Sequence, residues 1–414
     1  MNQTLYSLIS TLLLPIMLLR LGLKGLKTPA YRYRVSERLG FVSATSKNII
    51  WVHCVSVGEF RAATVLIDKL IKDYPEHQIL VTSTTPTGSQ AIKDTYQDKI
   101  LHYYFPFDLS LIVNRYIKKI NPKICILLET EIWPNLIHSL NKNNIPSLLI
   151  NARLSPRSLE KYQKFAPKLA KQTLNKLNVI ATQNPNSAQR FIQLGTDKNK
   201  VIMAGNIKFE QNPNANKKHT EAIKTIIGSR KVVVFASTHK GEEQDIINAY
   251  LQRPLDALML IIPRHPERFN EVYKLAKKHK IKVLKRSENT SSENYDMLLG
   301  DSMGEMMSYF EVADVVFMGG SLVATGGHNM LEPAVLSKPI LFGLNVFNFS
   351  EISADLLAQN GAIQVQNADE LLHEITQLLE DDKKAKSLGD NANQYFTSQQ
   401  GALDILMKQI QLWV

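Results

Sequence analysis

Ile49-Ile50-Trp51-Val52-His53-Cys54-Val55 is a short apolar run with β-branched residues. Ser56-Val57-Gly58 follows, and then helical spacing from Glu59 to Asp73, with Ala62, Ala63, Leu66, Ile67 and Leu70 on one side. This reads as a buried strand, a turn and a helix. The same unit recurs outward. Ile79 to Thr82 is a second strand, and Thr84-Thr85-Pro86-Thr87 leads into a helix through about Tyr96. Ile124 to Leu128 and Ser147 to Ile150 are strands separated by a helix that Pro134 opens, and Val179 to Thr182 and Val201 to Met203 close the set. Strands alternating with helices imply a parallel sheet covered on both faces. From Gly205 to Lys231 the chain turns polar, and Asn206, Asn212, Pro213, Asn214, Asn216, Lys217 and Lys218 read as a connector. The alternation then restarts with Val232 to Ala236, Leu258 to Ile262, Val283-Leu284, Val315 to Met318 and Ile340 to Phe342, and Asn289 to Asn294 is a small polar loop. Helical segments fill Ser350 to Trp413. The expected class is α/β, with two doubly wound domains about a cleft. Residues 30–205 form the first and 231–395 the second, joined by a connector over 206–230, with a helix over 396–414 that packs back on the first. In such sheets ligands sit beyond the carboxyl ends of the strands.

Composition narrows the function classes. The chain has 414 residues, enough for two or three domains at roughly 100–200 residues each. With 44% hydrophobic and 21% charged residues it is neither wholly disordered nor a multi-spanning membrane protein. Lys+Arg 49 against Asp+Glu 38 gives a net charge of +11, which suits an anionic partner: nucleic acid, anionic lipid or a phosphorylated substrate. The two cysteines, Cys54 and Cys125, lie inside strand-like runs, so a disulfide framework and a cysteine-rich zinc site are not expected, and a reducing compartment fits.

The amino terminus is different in kind. Leu5 to Leu19 is nearly all apolar, Pro15 bends or breaks it, and Arg20 interrupts it. Arg20, Lys24, Lys27, Arg32, Arg34 and Arg38 follow with only Glu37 against them. The uninterrupted stretch is short for a bilayer span, and its positive charge comes after the apolar part, unlike a cleaved leader. Residues 1–25 are therefore read as a membrane anchor or interfacial helix, the basic cluster favouring the cytoplasmic leaflet, with a helix docked on the protein's own core as the alternative. The segment from Arg153 to Lys176 is also basic, and fits either anionic headgroups or an ordinary solvated helix face.

Candidate chemistry lies at the strand ends. Glu59 stands at a helix start, where the dipole and free N–H groups favour its ionised form; this motif alone fits a solvated first-turn Glu that helps the helix start better than it fits a general base, which needs the same ionised form. Leu127-Leu128-Glu129-Thr130-Glu131-Ile132-Trp133-Pro134-Asn135 carries two carboxylates that share a side if the backbone stays extended. Such a pair can bind a metal, position a sugar hydroxyl or push one another's pKa apart. A metal is not favoured, because the histidines are scattered and no Asp-x-Asp pair or His-Glu-x-x-His is present. The second half offers phosphate-binding features: Ala236-Ser237-Thr238-His239-Lys240-Gly241, Pro263-Arg264-His265-Pro266, Gly319-Gly320-Ser321 and Gly326-Gly327-His328-Asn329-Met330-Leu331-Glu332-Pro333. Glu332, about one turn into its helix, is placed to accept hydrogen bonds from a ribose diol. The chain has no P-loop, and no Gly-x-Gly-x-x-Gly follows its first strand.

Taken in order, Val57-Gly58-Glu59-Phe60-Arg61, Glu129 to Asn135, Asn151-Ala152-Arg153-Leu154-Ser155, Gly205-Asn206-Ile207-Lys208-Phe209, Pro263 to Phe269 and Gly326 to Pro333 resemble the Kdo (3-deoxy-D-manno-octulosonic acid) transferases of Gram-negative bacteria. The resemblance runs through most of the chain. It implies the GT-B architecture of two Rossmann-like domains, no cofactor and no metal. It further implies transfer of Kdo from CMP-Kdo to the lipid A precursor lipid IVA in lipopolysaccharide biosynthesis, at the cytoplasmic side of the inner membrane. By resemblance Glu59 is the proton acceptor, and Glu129 and Lys208 stabilise the transition state. Pro263, Arg264, Met303, Gly304, Glu305, Asn329, Met330, Leu331 and Glu332 bind the CMP. The partners are then CMP-Kdo, lipid IVA and an anionic membrane surface, with no nucleic acid. The rivals are a GT-B enzyme using a UDP-sugar, and a non-catalytic binder of anionic lipid or nucleic acid. The aromatic interleaving of a nucleic-acid platform is missing.

Overall fold

The computed structural model describes residues 1–44, 48–211, 215–288 and 295–414. The polar loop read at Asn289 to Asn294 lies outside the described residues, as do Asn212, Pro213 and Asn214 of the connector. The chain forms two compact units, Met1–Gln211 with Gln400–Val414, and Asn212–Gln399.

The first unit is built on seven strands, β1 (Ile49–His53), β2 (Gln78–Ser83), β3 (Leu101–Tyr104), β4 (Pro122–Leu128), β5 (Ser147–Ala152), β6 (Val179–Thr182) and β7 (Val201–Met203). They pair in parallel in the order β3-β2-β1-β4-β5-β6-β7. The central strands are buried on both faces, which is why they read as continuous apolar runs rather than as alternation. From β1, Ile50 and Val52 pack with Phe60, Leu66 and Leu70 on one face. Ile49 and Trp51 pack with Val113, Tyr116 and Leu136 on the other. Strand β3, which was not read from the sequence, is a half-exposed edge strand whose Leu101-His102-Tyr103-Tyr104 offers no apolar run. The chain runs from β1 outward to β3 and returns to β4 on the other side of β1, so the order reverses between β1 and β4.

Both ends of the chain are tied to this unit. The helix Ala402–Gln411 adds Leu406, Met407 and Ile410 to the core beneath β1 and β4. Its first N–H groups, of Gly401 and Ala402, donate to Glu210 Oε1 at 2.6 and 2.7 Å. At the amino end, Gln3–Leu12 and Leu14–Lys27 are two helices bent by 49°, with Pro15 at the second position of the second one. Tyr6 Oη donates to Asp108 at 2.9 Å, and Gln3 Nε2 and Ser7 Oγ donate to Asn135 at 2.9 and 2.5 Å. The opposite face stays apolar and open, with Leu12 69% and Leu26 68% exposed. Among the described residues no single helix is long and apolar enough to cross a membrane, although the bent pair together is.

The second unit repeats the architecture with β8 (Val232–Thr238), β9 (Leu258–Pro263), β10 (Val283–Lys285), β11 (Met297–Leu299), β12 (Val315–Met318), β13 (Ile340–Phe342) and β14 (Ile363–Gln364). All are parallel, in the order β10-β11-β9-β8-β12-β13-β14. Part of the stretch read as a polar connector is ordered structure. Ile207–Glu210 is a 3-10 turn of the first unit. Lys217–Ile227 is a helix of the second that buries Thr220, Ile223, Ile226 and Ile227. Its apolar positions are spaced helically among lysines, and the density of Asn and Lys hid that periodicity.

One carboxylate organises the loops of this unit. Glu242, fully buried in the helix Glu242–Gln252, accepts from the backbone N–H groups of His239 and Gly320 (2.8 and 2.7 Å) and of Ser321 and Leu322 (both 3.0 Å). Burial raises its pKa, and these donors oppose the rise. Replacing it by alanine strands four amides, for a loss of at least about 3 kcal/mol. We expect the melting temperature of Glu242→Ala to fall by roughly 6–12 °C in the full chain. An unchanged melting curve would show that the carboxylate does not hold these loops.

Candidate active site

In the first unit, the residues that follow β1 and β4 meet at the switch point. Ser56 caps the helix Val57–Asp73, its hydroxyl accepting from Glu59 N–H at 3.3 Å. Glu59 reaches back so that Oε2 accepts the Val55 N–H at 2.8 Å and Oε1 lies 3.4 Å from Ser56 Oγ, a reciprocal cap that fixes the side chain. The helix start alone predicts a fully ionised Glu59. Burial overrides it: desolvation, with the Glu129 carboxylate adding to it, raises the pKa to about 7 against the Val55 and Ser56 hydrogen bonds and the Lys208 charge.

Glu129 and Glu131 do not sit on an extended backbone. Glu129 N–H still donates to Ile150 O at 3.0 Å as the last rung toward β5, and the chain then turns, with Glu129 at φ 53°. Glu131 N–H to Leu128 O (3.3 Å) and Ile132 N–H to Thr130 O (2.9 Å) close the turn, and Thr130 Oγ1 pins it to Arg153 O at 2.7 Å. The two carboxylates therefore differ in role. Glu129 pairs with Lys208, Nζ to Oε1 at 3.3 Å. Glu131 accepts from Trp133 Nε1 at 2.7 Å, and its pKa rises to about 8 through burial and the nearby Glu59. Beside it, His53 Nε2 lies 3.8 Å from Glu131 Oε2. The His53 ring is buried, stacked on Phe105 at 3.7 Å, and desolvation pushes it to about 3, so it is neutral.

Lys208 owes its position to Asn151. At the end of β5 this buried residue takes φ 49°, and its Oδ1 accepts the Ile207 N–H at 3.1 Å, while Asn206 Oδ1 accepts the Lys208 N–H at 3.1 Å. The structure thus brings Glu59, Glu129 and Lys208 together and adds Glu131 and His53, which the sequence reading did not assign. Glu131 was legible as half of a carboxylate pair. His53 was not, because it sits inside an apolar strand.

In the second unit the segments that the resemblance assigns to CMP lie at strand ends: Pro263 closes β9 and Arg264 follows it, Met303-Gly304-Glu305 follow β11, and Asn329 to Glu332 lie beyond β12. Arg264 is exposed, as are Met303 and Gly304. Glu305 is buried and engaged: Arg286 Nη2 lies 3.0 Å from Oε1, while Ser302 Oγ and Tyr309 Oη donate to Oε2. It anchors the turn on which Met303 and Gly304 stand. Met330 and Leu331 are buried, and their side chains belong to the core of this unit. Glu332 lies in the first turn of the short helix Leu331–Val335 rather than a turn beyond it, with Oε1 accepting from Asn329 Nδ2 at 3.2 Å. Gly319-Gly320-Ser321 is not a free phosphate cradle, since the Gly320 and Ser321 N–H groups go to Glu242 and the Gly319 N–H goes to Ala236 O. Met303-Gly304-Glu305 escaped a residue-level reading because the short strand before it, Met297-Leu298-Leu299, was missed.

Comparison with known proteins gives the family and the fold class. The family model described as 3-deoxy-D-manno-octulosonic-acid transferase (kdotransferase) matches residues 33–211, and that of the glycosyl transferases group 1 matches 186–395. A 3-deoxy-D-manno-octulosonic acid transferase of Haemophilus influenzae is 40% identical over 404 residues, 95% of this chain and 94% of that protein. One from Rickettsia felis is 32% identical over 89% of this chain and 80% of its own length. Among solved structures, a UDP-GlcNAc 2-epimerase from Neisseria meningitidis superposes with a TM-score of 0.60 at 14% identity, over 88% of this chain and 99% of that one, a likeness of fold alone. With two doubly wound α/β units the fold class is GT-B, and the chain belongs to the 3-deoxy-D-manno-octulosonic acid transferase family, a family of glycosyltransferases.

Proposed function

We propose that this enzyme moves Kdo from CMP-Kdo to lipid IVA by a metal-independent, inverting displacement, at the cytoplasmic side of the inner membrane. The observation that carries the reading is Glu59, a carboxyl fixed by its own helix cap, raised to about 7 and placed at the switch point with Lys208 and Glu129. A base poised near the working pH is both available and strong enough to take an alcohol proton as the bond forms. Glu59 takes the proton of the acceptor's primary hydroxyl. That oxygen attacks the anomeric carbon of Kdo on the face opposite the phosphate, and the bond from this carbon to the phosphate oxygen breaks with its electron pair. CMP departs, and the sugar is inverted without a covalent enzyme intermediate. Lys208 offsets negative charge at the reacting centre, and Glu129 holds its ammonium there. CMP is a stabilised leaving group, which supports a mechanism without a divalent ion. Pro263, Arg264, the Met303-Gly304-Glu305 turn and the segment from Asn329 to Glu332 hold the nucleotide.

The acceptor is an anionic glycolipid. The net charge of +11 and the open apolar face of the bent amino-terminal helices, with Arg20, Lys24 and Lys27 on the second helix, suit a protein that works against an anionic membrane surface.

Mass spectrometry of lipid IVA incubated with CMP-Kdo tests the reaction, a mass gain of one or more Kdo residues being the expected result. Glu59→Ala should lower transfer by roughly 10²–10⁴-fold while CMP still raises the melting temperature. Undiminished transfer would remove Glu59 from the role of base. Arg264→Ala should weaken CMP by about tenfold or more, read as loss of thermal protection. Protection by UDP but not by CMP would point to a different donor.

A further inference from the structure

Three histidines of the second unit, each within a segment read above as a phosphate-binding feature but given no role of its own, converge where its strand order reverses. His239 follows β8, His265 lies two residues beyond β9, and His328 belongs to the loop that follows β12. The rings of His239 and His328 stack at 5.1 Å with 9° between their planes, and His265 meets His239 edge-on at 5.5 Å. The His239 and His328 Nε2 atoms are 2.9 Å apart. A contact of that length needs one donor and one acceptor, so one Nε2 carries a hydrogen and the other does not.

We infer that His239 and His328 form a proton-sharing pair that grips the phosphate of the bound nucleotide and takes up a further proton when that phosphate arrives. The inference rests on the CMP-sugar reading above and adds two phosphate-binding residues to it.

The surroundings favour an anion. Arg264 and Arg268 bring positive charge toward the pair. Of the acids nearby, Glu242 and Glu243 are already engaged and Glu267 is exposed. Glu243 takes both Arg268 nitrogens at 2.6 and 3.0 Å, Glu242 accepts four backbone N–H groups, and Glu267 lies 4.0 Å from His265. Thr238 Oγ1, at the same strand end, is buried with no hydrogen-bond partner. Burial and the neighbouring positive groups hold His328 down at about 4 and also lower His239, so the pair is uncharged near neutral pH on its own. A phosphate reverses that balance, because an opposite charge within a few ångströms favours the protonated ring. In the transfer step the breaking bond leaves its electron pair on the phosphate, whose charge grows from one negative toward two. An imidazolium there stabilises CMP as it leaves without being consumed.

Proton linkage tests this. CMP is titrated into the full-length protein at about pH 7.5, by calorimetry in buffers of different ionisation enthalpy. At that pH the CMP phosphate is mostly a dianion, since its second pKa is about 6. Wild type should take up close to one proton per CMP, and its affinity should fall by up to about tenfold per pH unit toward higher pH. Cytidine, which lacks the phosphate, should bring no proton. His328→Gln should bind CMP more weakly and with little uptake, and His239→Gln gives the same readout should the first variant fold poorly. CMP binding with no proton uptake in wild type, or full uptake in both variants, overturns the pair while leaving the donor reading intact. Failure of wild type to bind CMP overturns the donor reading, and this inference with it.

Discussion

Glu59, Glu129 and Glu131 crowd three carboxyl groups beside the ammonium of Lys208 at the ends of β1 and β4. Burial and neighbouring like charge raise Glu59 and Glu131, each by an amount set by the groups that face it. Lys208 lies against Glu129. Glu131 has the Trp133 indole N–H and a neutral His53 for neighbours, so nothing charged balances it and its carboxyl is raised furthest. Glu59 falls between, because its backbone and hydroxyl donors offset part of its burial. A carboxyl raised to near neutrality is thus a consequence of packing. The capping geometry that orients Glu59 is the same geometry that starts its helix.

The second unit solves a related problem with the opposite sign. Its strand ends gather histidines and Arg264, and its buried carboxylates are turned inward to hold loops. Glu242 consumes the amides of the glycine turn after β12, and Glu305 fixes the turn that carries Met303 and Gly304. What is presented beyond the strands is side-chain cations and short backbone segments. In both units several candidate residues lie at the ends of strands flanking the reversal, Glu59 and Glu129 in the first and His239 and His328 in the second, while Lys208 comes from beyond the edge strand β7 and Met303 to Glu305 from beyond β11.

Much of this was legible in the sequence. The central strands announced themselves because they are buried on both faces, and the residues after them could be named before any coordinates. The edge strand Leu101–Tyr104 and the three-residue Met297–Leu299 were not legible, the first half-exposed and the second too short to stand out. The ionisation of Glu59 was misjudged for a physical reason: a helix start is visible in sequence, and the burial that outweighs it is not. The parts played by His53, Asn151 and Glu242 were not legible for a similar reason, although Asn151 belongs to a motif that carried the resemblance. Each sits within a strand end or a first helical turn, and its importance lies in what it touches across the sheet.

The most direct test of the central claim is the pH dependence of kcat/KM for Kdo transfer, measured from about pH 5.5 to about 9 on wild type and on Glu59→Gln. The account predicts a wild-type rate that rises with pH through a midpoint near 7, as Glu59 loses its proton, and a variant in which both the rate and that rise are lost. A wild-type rate flat across this range, or a variant that keeps the same rise, would contradict it.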